Sequence, residues 1–428
     1  MAIERENELI NILKDTIGLA TGCTEPAAIA YSCASAREKV IGDIIQLEIT
    51  VDSYLYKNAL NVSIPGFDQK GVKAAAALGL IIGDTKKGLN LLKDMGEEVI
   101  KKAKDLLKRN AIKLKVVDNC DILFIQSILK TDKEIIRVVT LEKHNNIVDI
   151  SKNTVEDFDF VEYLKKKEKS NPISNYTLDD FIEFATNVDL TKIEFLKEGI
   201  EYNLKMAEAG LKDVNSIGNK FDTLIDKGYS MGESPAVYAQ KLCSGASYGR
   251  MSGVQLPVMT STGSGNHGIT LFLTIAAAGE KLNIRDEKIT RALALGQLIN
   301  VYIKNHTGAL SAMCGCGIAA GIGASCGIVS MMDGSSDQIF GTILNMVGSI
   351  SGIICDGAKE GCAYKLALAS GWAIQSALLS INGAVVNYND GILCGEFSKV
   401  ISNLGYVCGP GMKSTNAAIV EVMQKNCV

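Results

Sequence analysis

Cysteines and glycines alternate at two places in the second half of the chain. Cys314 and Cys316 lie in the stretch AMCGCGIAAGIGASCG, and Cys355 and Cys362 bound the segment CDGAKEGC. Glycine lets a backbone approach a bulky ligand closely, and thiolates are the ligands that the irons of an iron–sulfur cluster prefer. The spacing matches no common ferredoxin or zinc pattern. Two interpretations therefore stay open: thiolates on a metal cluster, or small thiols packed in a core.

Cys23 lies in the segment TGCTEP, directly before Thr24, a residue type favoured at a helix N-cap. A sulfur near the N-terminal end of a helix lies in the positive field of the helix dipole, which favours the thiolate. Such a thiolate can act as a base or a nucleophile. The alternative is a helix joint with an incidental cysteine.

Hydroxyl, amide and imidazole side chains concentrate in the stretch PVMTSTGSGNHGIT. The candidate substrate-binding residues of this stretch are Thr260, Ser261, Thr262, Ser264, Asn266 and His267. We expect them on a turn before an apolar helix, where N–H groups and hydroxyls bind a carboxylate or a phosphate. The stretch lacks a P-loop lysine and the dinucleotide-binding glycine spacing. A small carboxylate is thus the better ligand, and a capped glycine turn without a ligand is the alternative.

Two isolated residues are further candidates. Arg250, one of few arginines, could clamp a carboxylate through its planar guanidinium, or lie at the surface. His306, just ahead of the cysteine-rich stretch, could donate a hydrogen bond to a substrate or to a cluster sulfur, or be a structural histidine.

Composition limits the classes of partner. The chain has 428 residues and a formal net charge of -4, so it can bury a large core but offers no basic surface for nucleic acid or anionic lipid. Its N-terminus has the pattern of an amphipathic helix rather than of a signal peptide, which predicts a cytoplasmic location and reduced thiols. The apolar region 309–354 is broken into short pieces, which favours buried helices over membrane spans.

Three regions must position these residues. Residues 1–40 are predicted to form two helices, the first over Glu6 to Leu19, that carry Cys23 and pack on the catalytic domain. Region 41–171 is predicted to be an α+β domain. The strand patterns are IIQLEITVDSYLYKNALNVSI, KLKVV, DILFIQSILK, EIIRVVTLE and NIVDI, and the helix patterns are VKAAAALGLIIG and GEEVIKKAKDLLKRN. Region 172–428 is helical in period and opens with a capping pair, Thr177 and Asp180. The predicted fold class is α+β, with a mainly helical C-terminal catalytic domain and a mixed α+β N-terminal lobe.

The segments TGCTEP, TGSGNHG, MCGCGIAAGIGASCG and ICDGAKEGC together resemble the L-cysteine desulfidase family of archaea and bacteria. That family is related to the α-chain of the iron–sulfur L-serine dehydratases, and the resemblance covers nearly the whole chain. It implies an enzyme that converts L-cysteine into pyruvate, ammonia and sulfide without pyridoxal phosphate. It also implies an oxygen-sensitive [4Fe-4S] cluster held by three cysteines.

The resemblance assigns roles to particular residues. Cys355 and Cys362 match the last two cluster ligands. The serine dehydratases place the first ligand in a Gly-Cys-Gln segment, which aligns with Cys316, but their glutamine is a glycine here and Cys314 stays an alternative. Cys23 matches the cysteine proposed as the base in that family. The dehydratases end with a cysteine that can occupy the open iron, and Cys427 is not taken as its counterpart.

The implied mechanism is an elimination. The iron without a protein ligand binds the substrate thiolate as a Lewis acid, and Cys23 takes the α-proton. Residues 260–267 hold the carboxylate, and the aminoacrylate product hydrolyses to pyruvate and ammonia. The alternatives are L-serine dehydration by the same groups, a non-catalytic iron–sulfur carrier or sensor, and a helical protein with buried thiols and no metal. The expected partners are L-cysteine and, as an assembly, a second copy in a homodimer, with neither nucleic acid nor membrane.

Overall fold

A computed structural model describes residues 1–93, 95–118, 120, 122–166, 171–230 and 232–426, so Cys427 lies outside the described residues. The fold is α+β with a helical C-terminal region, which confirms the predicted class. The chain divides into two compact units, each assembled from three stretches of sequence. The helical unit comprises Met1–Leu19, Asn171–Cys355 and Glu360–Met412, and the sheet unit comprises Ala20–Ser170, Asp356–Lys359 and Lys413–Val428.

The secondary structure of the described residues consists of the following elements. The α-helices are α1 (Ile3–Thr16), α2 (Thr24–Glu38), α3 (Ser53–Leu60), α4 (Val72–Ile82), α5 (Glu97–Lys108), α6 (Phe160–Lys166), α7 (Leu178–Asn187), α8 (Leu190–Ile193), α9 (Lys197–Leu211), α10 (Ile217–Asp226), α11 (Pro235–Met251), α12 (Gly265–Lys281), α13 (Asp286–Thr307), α14 (Ala319–Met331), α15 (Ser336–Ile350), α16 (Cys362–Ile381), α17 (Phe397–Tyr406) and α18 (Lys413–Asn426). The β-strands are β1 (Ile17–Thr21), β2 (Ile44–Asp52), β3 (Ile112–Val117), β4 (Phe124–Thr131), β5 (Ile135–Leu141), β6 (Ile147–Lys152) and β7 (Pro257–Ser261).

The sheet unit is built on five strands in the order β3-β2-β4-β5-β6. Strands β2 and β3 are parallel, and the other neighbours are antiparallel. Helix α2 packs on β4, β5 and α4, and the hydroxyl oxygens of Ser32 and Ser127 lie 3.0 Å apart between helix and sheet. The small residues of α2 are buried almost all round the helix, so α2 is an internal element of this unit.

The helical unit has its core in α12, α13 and α14, whose side chains are nearly all buried. Helix α14 packs closely on α13 because both carry small residues where they meet. Thr177 and Asp180 cap α7 reciprocally, side chain to backbone, as the sequence predicts. No helix of the described residues combines the length and the apolar character that crossing a bilayer requires.

Three sequence expectations differ from the structure. The predicted first helix ends at Thr16, and Ile17–Thr21 forms a strand of a two-stranded sheet. The strand pattern after Ile44 ends at Asp52, where α3 begins. The expected segment 1–40 is divided, because α1 belongs to the helical unit and α2 to the sheet unit. The physical reason is packing: Leu9 and Leu13 of α1 join the helical core, whereas α2 covers the sheet.

Candidate active site

Backbone pairing joins the two cysteine-rich segments of the helical unit. Met313 and Ile354 form an isolated antiparallel bridge. The N–H of Cys314 donates to the carbonyl of Ile353 at 2.8 Å, and the N–H of Cys355 donates to the carbonyl of Ala312 at 2.6 Å. Segments far apart in the sequence are thereby held side by side, each with a cysteine at the bridge.

The thiols of these segments influence one another. The pKa of the Cys316 thiol lies well above its usual range, because Cys316 shares a hydrogen bond with Cys314, is desolvated, and faces charge on Cys314, Cys362 and Cys355. Cys362 is the first residue of α16, where the helix dipole favours a thiolate. Four cysteines therefore form one electrostatic group, which we call the thiol group.

The thiol group supplies the donor type that an iron–sulfur cluster uses. No three His, Cys, Asp or Glu side chains of the described residues converge on one ion. A cluster needs no such convergence, since each cysteine binds a different iron. The turn after Cys314 is made by the N–H groups of Gly317 and Ile318, which donate to the Cys314 carbonyl at 3.1 and 2.9 Å. This turn starts α14 and presents Cys316 half-buried rather than in the core.

Gly315 brings two polar side chains to the thiol group. A Cβ at this position would lie 2.7 Å from Nε2 of His267 and 3.3 Å from Nζ of Lys304. Any side chain here would collide with the imidazole, so the glycine is a requirement of the site. His267 and Lys304 are consequently neighbours of the backbone that links Cys314 to Cys316.

Lys304 is a buried lysine on α13. Its Nζ donates to the carbonyl of Ala309 at 3.1 Å. Burial lowers the pKa of Lys304 from its usual value, whereas negative charge on nearby cysteines opposes this. The cysteines concerned are Cys408, Cys316, Cys355 and Cys314. Thiolates in this group and the ammonium therefore stabilise one another.

His267 is neutral at physiological pH. Burial and, to a smaller extent, the positive charge of Lys304 lower its pKa to about 3. The hydrogen bond with Asn300 acts in the opposite direction and raises the pKa. Its Nδ1 lies 3.4 Å from Oδ1 of Asn300. The Asn300 amide is oriented by its own donation to Oγ of Ser261 at 2.8 Å. Because Oδ1 only accepts, a hydrogen bond in this contact requires the tautomer with its proton on Nδ1, which leaves a lone pair on Nε2, next to Gly315.

The predicted substrate-binding stretch divides into strand, turn and helix. Thr260 and Ser261 lie in β7 rather than on a turn, because Ser261 is fully buried and bonded to Gln297 and Asn300. Thr262 and Gly263 form the turn with φ of 49° and 79°. Ser264 is the N-cap of α12, and its Oγ lies 3.7 Å from Sγ of Cys316.

Asn266 and His267 occupy the first turn of α12. The backbone N–H groups of Gly265, Asn266 and His267 find no acceptor among the described residues, as is usual for a helix start. The ligand-binding features predicted for this stretch are thus concentrated at Ser264 and the first turn of α12.

His306 has other contacts. Its Nδ1 lies 3.0 Å from the carbonyl of Tyr302 one turn earlier in α13. Its ring packs on that of Tyr302 with centroids 4.9 Å apart. These contacts occupy Nδ1 and one face of the imidazole ring.

Arg250 is buried at the end of α11, with an exposed fraction of 3 %. Its Nη1 donates to Oδ1 of Asn266 at 3.1 Å. The surface alternative is therefore wrong, and this arginine belongs to the surroundings of the α12 N-terminus.

Cys23 lies in the sheet unit and is itself the N-cap of α2, one residue earlier than predicted. Its Sγ donates to Oε2 of Glu25 at 2.7 Å, so the sulfur carries its proton in this arrangement. Oε1 of Glu25 accepts from Nδ2 of Asn58 at 3.0 Å. Sequence reasoning missed Glu25, although an acidic residue two positions after the cysteine in TGCTEP was a usable signal.

The remaining buried thiols in helices are packing residues. Burial raises the pKa of Cys33 and of Cys243 to about 12 and raises that of Cys326 further. Unlike Cys316, each of these thiols is fully buried and faces no site that a ligand could reach. Cys33, Cys243 and Cys326 therefore serve packing.

Comparison with known proteins defines the class. Residues 86–421 match the family described as serine dehydratase alpha chain, and the chain belongs to this family. Membership in a family of iron–sulfur dehydratases indicates a lyase-type enzyme and an iron–sulfur site. The matched region contains the thiol group and the start of α12, but not Cys23.

Relatives extend the similarity to nearly the whole chain. A UPF0597 protein of Clostridium tetani is 42 % identical, covering 99 % of this chain and 100 % of the relative. UPF0597 proteins of Clostridioides difficile and Caldanaerobacter subterraneus are 39 % and 38 % identical, each covering 97 % of this chain and 98 % of the relative.

Proposed function

We propose that this protein is an L-cysteine desulfidase, a carbon–sulfur lyase that converts L-cysteine and water into pyruvate, ammonia and sulfide without pyridoxal phosphate. The observation that carries the proposal is the thiol group: two paired backbone segments whose cysteines influence one another beside the first turn of α12. A reducing cytoplasm suits such thiols.

The proposed cofactor is a [4Fe-4S] cluster held by Cys316, Cys355 and Cys362. Cys316 is favoured over Cys314 as the first ligand because it is more exposed and its sulfur lies near Ser264. When bound, the cluster supplies an open iron that acts as a Lewis acid toward the substrate sulfur. Lys304 balances the charge of the cysteine ligands.

The proposed base is Cys23. To take a proton from Cα of the substrate it must first lose its own, and the Glu25 carboxylate already accepts the hydrogen bond from Sγ. Asn58 holds the other carboxylate oxygen, which fixes the direction of this proton transfer. The thiolate left behind lies at the N-terminus of α2, where the helix dipole stabilises negative charge.

The substrate carboxylate is proposed to lie at the start of α12, on Ser264, Asn266 and His267. The backbone N–H groups of Gly265, Asn266 and His267 lie at the positive end of the helix dipole, which favours a negatively charged group at this position. The residues before this helix start are Thr260 and Ser261 in β7 and Thr262 in the turn, and they are proposed to hold the turn in place. His306 is proposed to contact the substrate through Nε2, because its Nδ1 faces the carbonyl of Tyr302 in its own helix.

L-Serine dehydration is the second candidate, and the family match favours it specifically. The same residues would serve, with the leaving group a hydroxyl instead of a thiolate. The two reactions share pyruvate and ammonia as products and differ in sulfide.

The test is anaerobic reconstitution with iron and sulfide, followed by iron counting and product assay. About four irons per chain and equal sulfide and pyruvate from L-cysteine are expected. Pyruvate from L-serine in place of L-cysteine would select the dehydratase, and absence of bound iron would overturn both. Cys316→Ser should lose iron, whereas Cys314→Ser, its matched control, should keep it.

Glu25→Gln tests the proton transfer. Iron content should be unchanged, while kcat falls by about 100-fold, because the amide cannot receive the thiol proton. Glu25→Asp should recover part of the rate. Unchanged kcat in Glu25→Gln would remove Glu25 from the mechanism, and unchanged kcat in Cys23→Ala would remove Cys23 as the base.

A further inference from the structure

Arg250 is a buried cation without a counter-charge among the described residues. Its exposed fraction is 3 %. The guanidinium makes one hydrogen bond, from Nη1 to the neutral amide of Asn266, and its Nε is buried without an acceptor. No carboxylate of the described residues forms an ion pair with it. Burying a charge in this way is strongly unfavourable unless an anion arrives to balance it.

The guanidinium lies against the N-terminus of a long helix. A Cβ at Gly265, the first residue of α12, would fall 2.6 Å from Cζ of Arg250, so only glycine leaves room for the guanidinium there. Helix α12 has 17 residues, and its N-terminus carries partial positive charge. Two positive features thus meet in one place, although like charges repel. A folded chain tolerates this arrangement best when an anion binds between them.

We propose that Arg250 and the first turn of α12 form a buried anion site whose ligand is the carboxylate of the amino acid substrate. Arg250 is the source of its charge, and Asn266 positions the guanidinium. This inference rests on the proposed function and names a binding residue outside the hydroxyl-rich stretch.

The geometry favours the carboxylate of a small amino acid over a larger anion. Ser264, the N-cap of α12, lies with Oγ 3.7 Å from Sγ of Cys316. The same helix start therefore adjoins the guanidinium and the thiol group. A molecule with a carboxylate and a sulfur a few bonds apart can place the carboxylate at the guanidinium and the sulfur at the thiol group. Phosphate has no second functional group that could contact the thiol group.

The test measures binding of two probes that cannot form aminoacrylate. 3-Mercaptopropionate has the thiol and the carboxylate, and cysteamine has the thiol and the amine but no carboxylate. Calorimetric titration of the reconstituted protein should show the Kd of 3-mercaptopropionate rising ten- to hundredfold in Arg250→Gln, because a charged hydrogen bond is lost. The Kd of cysteamine should be unchanged, and Arg250→Lys should bind with intermediate affinity.

A second readout separates binding from a merely structural role. Ligand-free Arg250→Gln should unfold at the same or a higher urea concentration than the wild type, because an unbalanced buried charge is gone. 3-Mercaptopropionate should raise the midpoint of the wild type only. If Arg250→Gln does not fold, Gly265→Ala keeps the arginine but displaces its guanidinium, and should weaken 3-mercaptopropionate binding alone.

Three outcomes would overturn the inference: equal 3-mercaptopropionate affinity in the wild type and Arg250→Gln, equal loss of cysteamine affinity, or inorganic phosphate binding as tightly as 3-mercaptopropionate. Failure of the proposed function is distinguishable. Arg250-dependent carboxylate binding without sulfide or pyruvate production would support the anion site and overturn the desulfidase. Turnover of L-cysteine with an Arg250→Gln variant of unchanged KM and Kd would do the reverse.

Discussion

The imidazole of His267 is held neutral and in one orientation by its surroundings. Asn300 fixes the proton on Nδ1, and Ser261 fixes Asn300. Burial and Lys304 lower the His267 pKa to about 3. A neutral ring next to Lys304 avoids placing two positive charges side by side when the lysine is protonated.

Stability should therefore depend on pH through His267. Between pH 6.5, the ordinary value, and about 3 the unfolded chain binds a proton that the folded chain excludes. The free energy of unfolding should fall as pH drops through this window, by about 2 kcal/mol from about pH 7 to about pH 5 for this group. Urea unfolding of the cluster-free protein at the two pH values measures it.

His267→Gln is the matched variant, because a glutamine amide does not titrate. The difference in unfolding free energy between the two pH values should be smaller in this variant by that amount. Equal pH dependence in the two proteins would show that His267 binds its proton as readily in the folded chain as in the unfolded chain.

At the scale of elements, the glycines of AMCGCGIAAGIGASCG divide into two roles. Gly315 makes space for His267 and Lys304. Gly323 and Gly327 lie in α14 where it meets α13: a Cβ at Gly327 would lie 2.7 Å from the carbonyl of Ala292. Small residues let two helix backbones approach each other, and the helix that carries Lys304 is positioned by this contact.

Gly323→Ala should destabilise the helical unit. A Cβ at Gly323 would overlap the carbonyl of Gly296 on α13, a backbone atom that cannot move without shifting its helix. We expect a loss of about 1–3 kcal/mol in unfolding free energy. Chemical denaturation followed by circular dichroism measures this.

Gly352→Ala is the control, because a Cβ at that position meets nothing within 4 Å. It should leave the free energy of unfolding within about 0.5 kcal/mol of the wild type. If both substitutions have the same effect, close packing of α13 and α14 is not what requires Gly323.

The elements predicted wrongly show where local patterns fail. Strands β3 to β6 and helices α4 and α5 were predicted, because alternation or helical period is clear in each. Ile17–Thr21 continues the pattern of α1 but is a strand, since pairing within a sheet outweighs local preference. Helix α3 was missed although Asp52 caps it, accepting from the N–H of Leu55 at 2.9 Å.

The sequence predicted which residue types form the candidate site, but it did not predict how the separate segments come together. Cysteine spacing and glycine content pointed to the thiol group. The bridge between Met313 and Ile354, which brings the segments together, leaves no local signal. Lys304 and Arg250 join the surroundings through burial, a tertiary property.

At the scale of the molecule, α18 completes the sheet unit from the far end of the sequence. Lys57 of α3 is 1 % exposed, and its Nζ donates to Oδ1 of Asn416 at 2.8 Å. The Asn416 amide donates in turn to Oγ of Ser53 at 3.1 Å. The acceptor for this buried lysine thus comes from a residue more than three hundred positions later in the sequence.

Asn416→Ala should destabilise the sheet unit by about 1.5–3 kcal/mol, the usual range for a buried hydrogen bond to a charged group. Hydrogen exchange should also become faster in α18 and α3. Glu421→Ala, which removes an exposed ion pair with Lys425 in the same helix, should change stability by less than about 0.5 kcal/mol. Equal effects would show that the Lys57 contact contributes nothing measurable.

The division of both units into three stretches affects the order in which they can fold during synthesis of the chain. Translation proceeds from the N-terminus, and domains generally fold as their residues emerge. The strands of the sheet unit are complete by Lys152, yet its last stretch begins at Lys413. A chain that ends after Cys362 but before α18 would therefore contain all four cysteines of the thiol group and an incomplete sheet unit. Only the full-length chain contains both the four cysteines and every stretch of the sheet unit.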